Sequence, residues 1–149
     1  MRAVLTSLMV LVLAACKGDA VEPRGDNYID NPPLWNDYVL GLGETINLQE
    51  GVAIEFVAVE EDTRCPTGAA CMTPGNARVL LKGLTPRGEQ LIRVNTNTLL
   101  PIAALFDYYG AQLRKLEPYP TLDAQGVPVP IPPHTYEATV FVTKEATPP

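Results

Sequence analysis

The chain has 149 residues and a formal net charge of −6 at pH 7, with 46% apolar and 19% charged residues. That size suits one domain with a sizeable core, and the acidic balance disfavours nucleic acid, whose binding rests on cationic neutralisation of phosphates. Fifteen prolines and eleven glycines point to many turns and few long helices.

At the N-terminus, Met1 and Arg2 form a short positive start, and Ala3 to Leu13 is an almost unbroken apolar run. A charged start, a short apolar segment and small residues before a cut describe a secretory signal peptide. The run is well short of the roughly 20 residues that a membrane-spanning helix needs. Its end, "LAAC" from Leu13 to Cys16, resembles a bacterial lipobox. The resemblance implies removal of residues 1–15 and attachment of a thioether-linked diacylglycerol to Cys16, with acylation of the new amino group. Buried acyl carbons contribute about 0.8 kcal/mol per CH₂, and two or more chains anchor stably. The expected product is tethered to a membrane by lipid and has no transmembrane span. Lys17 stands where an aspartate would suggest inner-membrane retention, so in a cell with two membranes it favours the outer one, facing the periplasm or the surface. The remaining 134 residues carry ten basic against seventeen acidic side chains, a net of −7.

Residues 16–37 are polar and proline-marked, as in a flexible tether that cannot bury enough apolar surface to fold alone. Trp35, near the end of this stretch, either packs on the domain edge or serves as a wedge for a partner. The domain is expected over residues 38–143, with a tail at 144–149. Ile46 and Leu48 share one face of a short strand, and Val52 to Val57 is a strand largely apolar on both faces.

"EDTRCPTGAACM" follows, with Cys65 and Cys71 six positions apart. Lipidation uses Cys16, which leaves one pair in a compartment where disulfides persist. Zinc sites favour two to four intervening residues and need two further ligands, whereas His134 is the only histidine. A C-x-x-C redox motif is absent. A structural disulfide is therefore expected, closing a loop for about 2 to 2.5 kcal/mol in the chain-entropy model.

Ala77, Val79 and Leu81 alternate in the next strand, "LTPRGEQ" turns the chain, and Gln90 to Asn95 is its hairpin partner. "LLPIAALFDYYG" fits a short helix capped by Gly110 or a buried strand. Ala111 to Glu117 is another strand. "EPYPTLDAQGVPVPIPPH" is a stiff crossover whose Val127 to Pro133 is extended; its alternative role is a Pro-rich surface for a partner. Tyr136 to Thr143 is the clearest strand. The pattern predicts an all-β fold: an antiparallel β-sandwich, immunoglobulin-like, or a small barrel, with one short disulfide loop.

"FVAVEEDTRCPTGAACMTPGNARVLL", "LRKLEPYP" and "YEATVFVT" together resemble a family of small exported bacterial β-domains. Its pattern is an acidic pair, Ser or Thr, "RCP", a second cysteine, then Gly and Ala opening a strand. The resemblance spans roughly Leu40 to Thr143 and implies architecture but no activity. Family members often carry a tryptophan soon after the second cysteine, where this chain has Met72, Thr73 and Pro74.

Nothing in the sequence assembles a catalytic site. The one serine, Ser7, leaves with the signal peptide, which removes serine triads. Paired cysteines leave no thiol for His134, and one histidine cannot build a common zinc site. Glu60, Glu61 and Asp62 fit a solvated turn, and "GDNYIDN" lacks the spacing of a calcium loop. No metal or cofactor is expected. Arg64, the one strong cation of the disulfide loop, either recognises a carboxylate or neutralises its acidic neighbours. The expected function is a non-enzymatic binding module for a protein partner in the cell envelope. The alternatives are an inhibitor-like domain acting on a protease or cell-wall hydrolase, and a structural envelope protein.

Overall fold

Alternation of apolar residues sets the architecture, because a strand sends successive side chains to opposite faces. The computed structural model describes residues 31–145. Eight strands follow in order: β1 Asn36–Gly41, β2 Thr45–Asn47, β3 Ala53–Asp62, β4 Ala77–Thr85, β5 Gly88–Asn95, β6 Ala103–Phe106, β7 Tyr109–Glu117 and β8 Glu137–Lys144. Short 3₁₀ turns lie at Gln49–Gly51 and Pro133–Thr135.

The strands form two four-stranded antiparallel sheets, β1-β8-β7-β6 and β2-β3-β4-β5, which do not close into a barrel. The protein is a β-sandwich. Inward residues of one sheet, among them Ile54, Phe56, Val79, Leu81 and Val94, meet Leu40, Phe106, Val140 and Val142 of the other, all essentially inaccessible to solvent. Each such side chain contributes about 1.5–3 kcal/mol of burial. Gly83 of β4 makes one of these contacts possible. A Cβ there would overlap the Phe106 ring, so the bare backbone is what lets Phe106 close the core across the sheets.

Several expectations from sequence shift. β1 begins at Asn36, inside the stretch expected to be tether. The ordered attachment starts earlier still, because Trp35 N–H donates to Val142 O at 2.7 Å and Gln49 N–H to Pro32 O at 3.1 Å. At the other end β8 runs to Lys144, and Glu145 N–H donates to Tyr108 O at 2.7 Å. "LLPIAALFDYYG" makes no helix. Phe106 pairs with Tyr109 in a hairpin whose turn is Asp107 and Tyr108, and Asp107 takes the left-handed conformation (φ 54°) that Asp tolerates. Gly110 lies inside β7, opposite Leu105 and Thr143. β3 is longer than Val52 to Val57, because register shifts between Phe56 and Ala58 and between Val59 and Glu61 keep it paired with β4 out to Asp62. The signal peptide, Cys16 and most of the tether fall outside the described residues, as does the end of the tail.

Candidate functional site

Strand direction sorts the connections by length. The β3–β4 (63–76), β5–β6 (96–102) and β7–β8 (118–136) connections all emerge at one end of the sandwich. The tight turns after β4 and β6 lie at the other end, where the chain also enters at Trp35 and leaves after Lys144.

The three connections themselves are almost free of charge. Of eleven basic and seventeen acidic side chains in the protein, only Arg64 and Asp123 fall in these three connections, and both are occupied. Asp123 accepts the Gln125 and Val127 N–H groups at 2.9 and 2.8 Å, closing a turn. What the loops expose instead is apolar: Met72, Leu99, Leu100, Tyr119, Val127 and Val129 are six of the ten exposed large apolar side chains among the described residues. Exposed apolar side chains gathered in the loops of one end mark an interaction site more often than the same residues scattered singly.

These loops are held rigidly. The Cys65–Cys71 disulfide is present, with Cα atoms 6.0 Å apart. Cys65 N–H donates to Pro74 O, and Thr67 N–H reaches across to Pro120 O, both at 2.9 Å. Gly75 takes φ 70° and lies so close to the Thr63 carbonyl that a Cβ would overlap it. Side-chain amides tie in the third connection. Asn76 donates to Asn95 Oδ1 at 2.9 Å and accepts the Asn97 N–H at 3.1 Å, while Asn97 Nδ2 donates to Gly75 O at 3.1 Å.

Arg64 sits beneath all of this and is only 6% exposed. Its Nε and Nη2 donate to the two Asp62 carboxylate oxygens at 2.8 and 2.6 Å. Nη1 donates to Leu116 O at 2.6 Å and Nη2 to Pro118 O at 2.9 Å, and the guanidinium lies 5.0 Å from the Tyr119 ring centroid. Tyr136 OH completes the cluster by donating to Asp62 Oδ2 at 2.9 Å. Burial alone would raise the Asp62 carboxyl, but the hydrogen bonds from Arg64 and Tyr136 outweigh it and hold the group below its ordinary value. Burial, then the bond to that carboxylate, pushes the Tyr136 phenol up to about 12.

The two candidate binding residues from sequence thus fare differently. Arg64 is not presented for docking: it is buried and four of its five N–H donors go to Asp62 and to the Leu116 and Pro118 carbonyls, so it positions the loops. Glu60 and Glu61 pair instead with Arg93 and Arg78. Trp35 is 61% exposed, held at φ 68°, but at the opposite end of the domain, so it shares no site with the disulfide loop. Met72, Leu99, Leu100 and Tyr119 were not singled out by residue type. The available signal was the lack of charge in three separate stretches of an acidic chain.

Between the disulfide loop and the crossover lies a recess of about 320 Å³. Pro66, Pro120, Pro128, Val129 and Pro130 line it together with Asp62, Thr63 and Arg64. Ile131, packed against the core, and the buried Tyr136 complete the lining. Among the described residues no group of three or more His, Cys, Asp or Glu side chains is placed to hold a metal, and no helix is long and apolar enough to cross a membrane. No family model, curated protein or solved structure matches the chain.

Proposed function

We propose that this chain is an exported, non-enzymatic binding module, lipid-anchored at Cys16, that offers its long-loop end to a polypeptide partner. The observation that carries the reading is the uncharged, apolar loop surface built on a disulfide, prolines and the buried Arg64–Asp62 pair. A surface already ordered loses little entropy on docking. Its position opposite the chain entry supports presentation away from an anchor. The near absence of cations argues for a protein rather than an anionic membrane surface.

The test places a photo-crosslinking residue at Leu99 and, as control, at Leu91 on the exposed part of β5. A discrete adduct from Leu99 in intact membranes, absent from Leu91, is the expected result. Adducts from Leu91 alone would move the interface to the strands and refute the reading. Anchoring is checked separately: Cys16→Ala should release the protein from membranes or stall its processing, and undiminished membrane partition would remove the lipid anchor from the proposal.

The stapled loop, with Met72 fully exposed beside Cys71, favours a second reading, insertion into the cleft of a protease or cell-wall hydrolase. Loss of hydrolase activity on adding the protein, restored by Met72→Asp, would select it.

A further inference from the structure

The recess between the disulfide loop and the crossover has a chemistry of its own. Pro66, Pro120, Pro128 and Pro130 have no backbone N–H, and the one on Val129 is given to Thr121 O at 2.9 Å, which leaves Ile131 N–H, among the described residues, as the one unpaired backbone donor of the Pro128–Ile131 strip. Tyr136 OH is committed to Asp62, and the Arg64 head to Asp62 and the β7–β8 carbonyls. Among the described residues the carbonyls of Pro128, Val129, Pro130 and Ile131 accept no hydrogen bond. The recess therefore combines flat apolar ring walls with open acceptors and few donors.

The volume, about 320 Å³, lies at the low end of small-molecule pockets and suits one large side chain. The complement of such a recess is a flat apolar body that donates one hydrogen bond and needs none in return. Among side chains the indole of tryptophan is that group, since its Nε1–H donates only. Prolines held in an extended strip and flanked by free carbonyls are the surface that aromatic side chains use when they dock on Pro-rich segments. The strip here is fixed in place. Leu122 pairs with Pro128 across a small hairpin, and Ile131 is anchored in the core.

We infer that the recess formed by Pro66, Pro120, Pro128, Val129 and Pro130 is a slot for a tryptophan side chain of the partner polypeptide, its N–H donated to a carbonyl of the Pro128–Ile131 strip. The inference rests on the loop end being the docking surface, and it names the anchor residue of whatever docks there.

The experiment is a titration of the full chain, purified from membranes, followed by the ¹³C-methyl signals of Val127, Val129 and Ile131. The probes are N-acetyltryptophanamide, its 1-methylindole analogue and N-acetylleucinamide. The tryptophan amide should shift the Val129 and Ile131 methyls saturably. The 1-methyl analogue, the same shape without the N–H, should bind about fivefold more weakly, the effect of one net hydrogen bond. The leucine amide should leave these signals unmoved. Val129→Asp, on the exposed strip, should abolish the shifts without lowering the unfolding temperature. Equal response to the leucine amide, or saturable shifts confined to the Val39 and Leu91 methyls, would overturn the slot. Concentration-dependent self-association lost in Trp35→Ala would instead overturn the separate partner, because the tryptophan in the slot would then come from a second copy of this chain. Persistence of the Leu99 adduct alongside either of the first two results leaves the loop end as the interface and removes only the slot.

Discussion

Replacing Arg64 by Ala separates support from contact. The substitution removes two hydrogen bonds to Asp62 oxygens and two to the Leu116 and Pro118 carbonyls, leaving a carboxylate in a site that excludes most solvent. Breaking a buried pair by removing one partner costs about 3–5 kcal/mol. Tyr136 still donates to Asp62, which places the loss near the lower bound, about 3 kcal/mol. For a domain of this size that lowers the unfolding temperature by about 10–15 °C.

The pH dependence carries a sign. In the wild type the Asp62 carboxyl is held below its ordinary value of 3.8. Its contribution is therefore full above that range and is lost as pH falls through the lowered folded value. In Arg64→Ala only the Tyr136 and backbone hydrogen bonds still oppose burial, so the folded carboxyl rises relative to the wild type, and the variant's deficit is largest at neutral pH and shrinks toward acid. Urea unfolding of both proteins at pH 7 and pH 4, disulfide intact, should show a gap that narrows at pH 4. A midpoint unchanged within about 0.5 kcal/mol at pH 7, the scale of ordinary surface substitutions, together with loss of partner capture, would refute the supporting role and return Arg64 to the interface.

Two further outcomes follow from the packing. Cys65→Ala with Cys71→Ala should cost about 2 to 2.5 kcal/mol, and thiol titration of the unreduced, denatured protein should find neither cysteine free; two reactive thiols per chain would exclude the bond. Gly83→Ala forces a methyl into the Phe106 ring, an overpacking cost of about 1–3 kcal/mol, and pairing it with Phe106→Leu should recover part of the loss by double-mutant analysis of urea midpoints.

What the sequence makes legible follows the range of the interactions involved. β8 shows in its strict alternation because one face is buried along its whole length, with Ala138, Val140 and Val142 inaccessible. The disulfide shows because the spacing of Cys65 and Cys71 and the single, distant His134 leave little else. β6 does not, since a short apolar run suits helix and strand alike, and only its pairing with β7 decides. The extent of β3 is hidden by its two register shifts. Arg64 illustrates the harder case. Its nearest acidic neighbours in sequence are three, yet only Asp62 turns inward to it, and the Leu116 and Pro118 carbonyls that fix it lie over fifty residues away. The apolar loop surface is dispersed over three connections, so no single stretch displays it.

The opposition between chain entry and loop end also has a mechanical side. β3 alone is ten residues long, about 30 Å, so a pull between Trp35 and the tips of the long loops runs parallel to the strands. β1, first to feel it, pairs with β8 along Asn36 to Gly41. Loaded lengthwise, those rungs share the force together instead of parting one after another as they would if peeled. A domain strung in this direction yields by sliding strands past each other, the mode in which a short sheet resists rupture best.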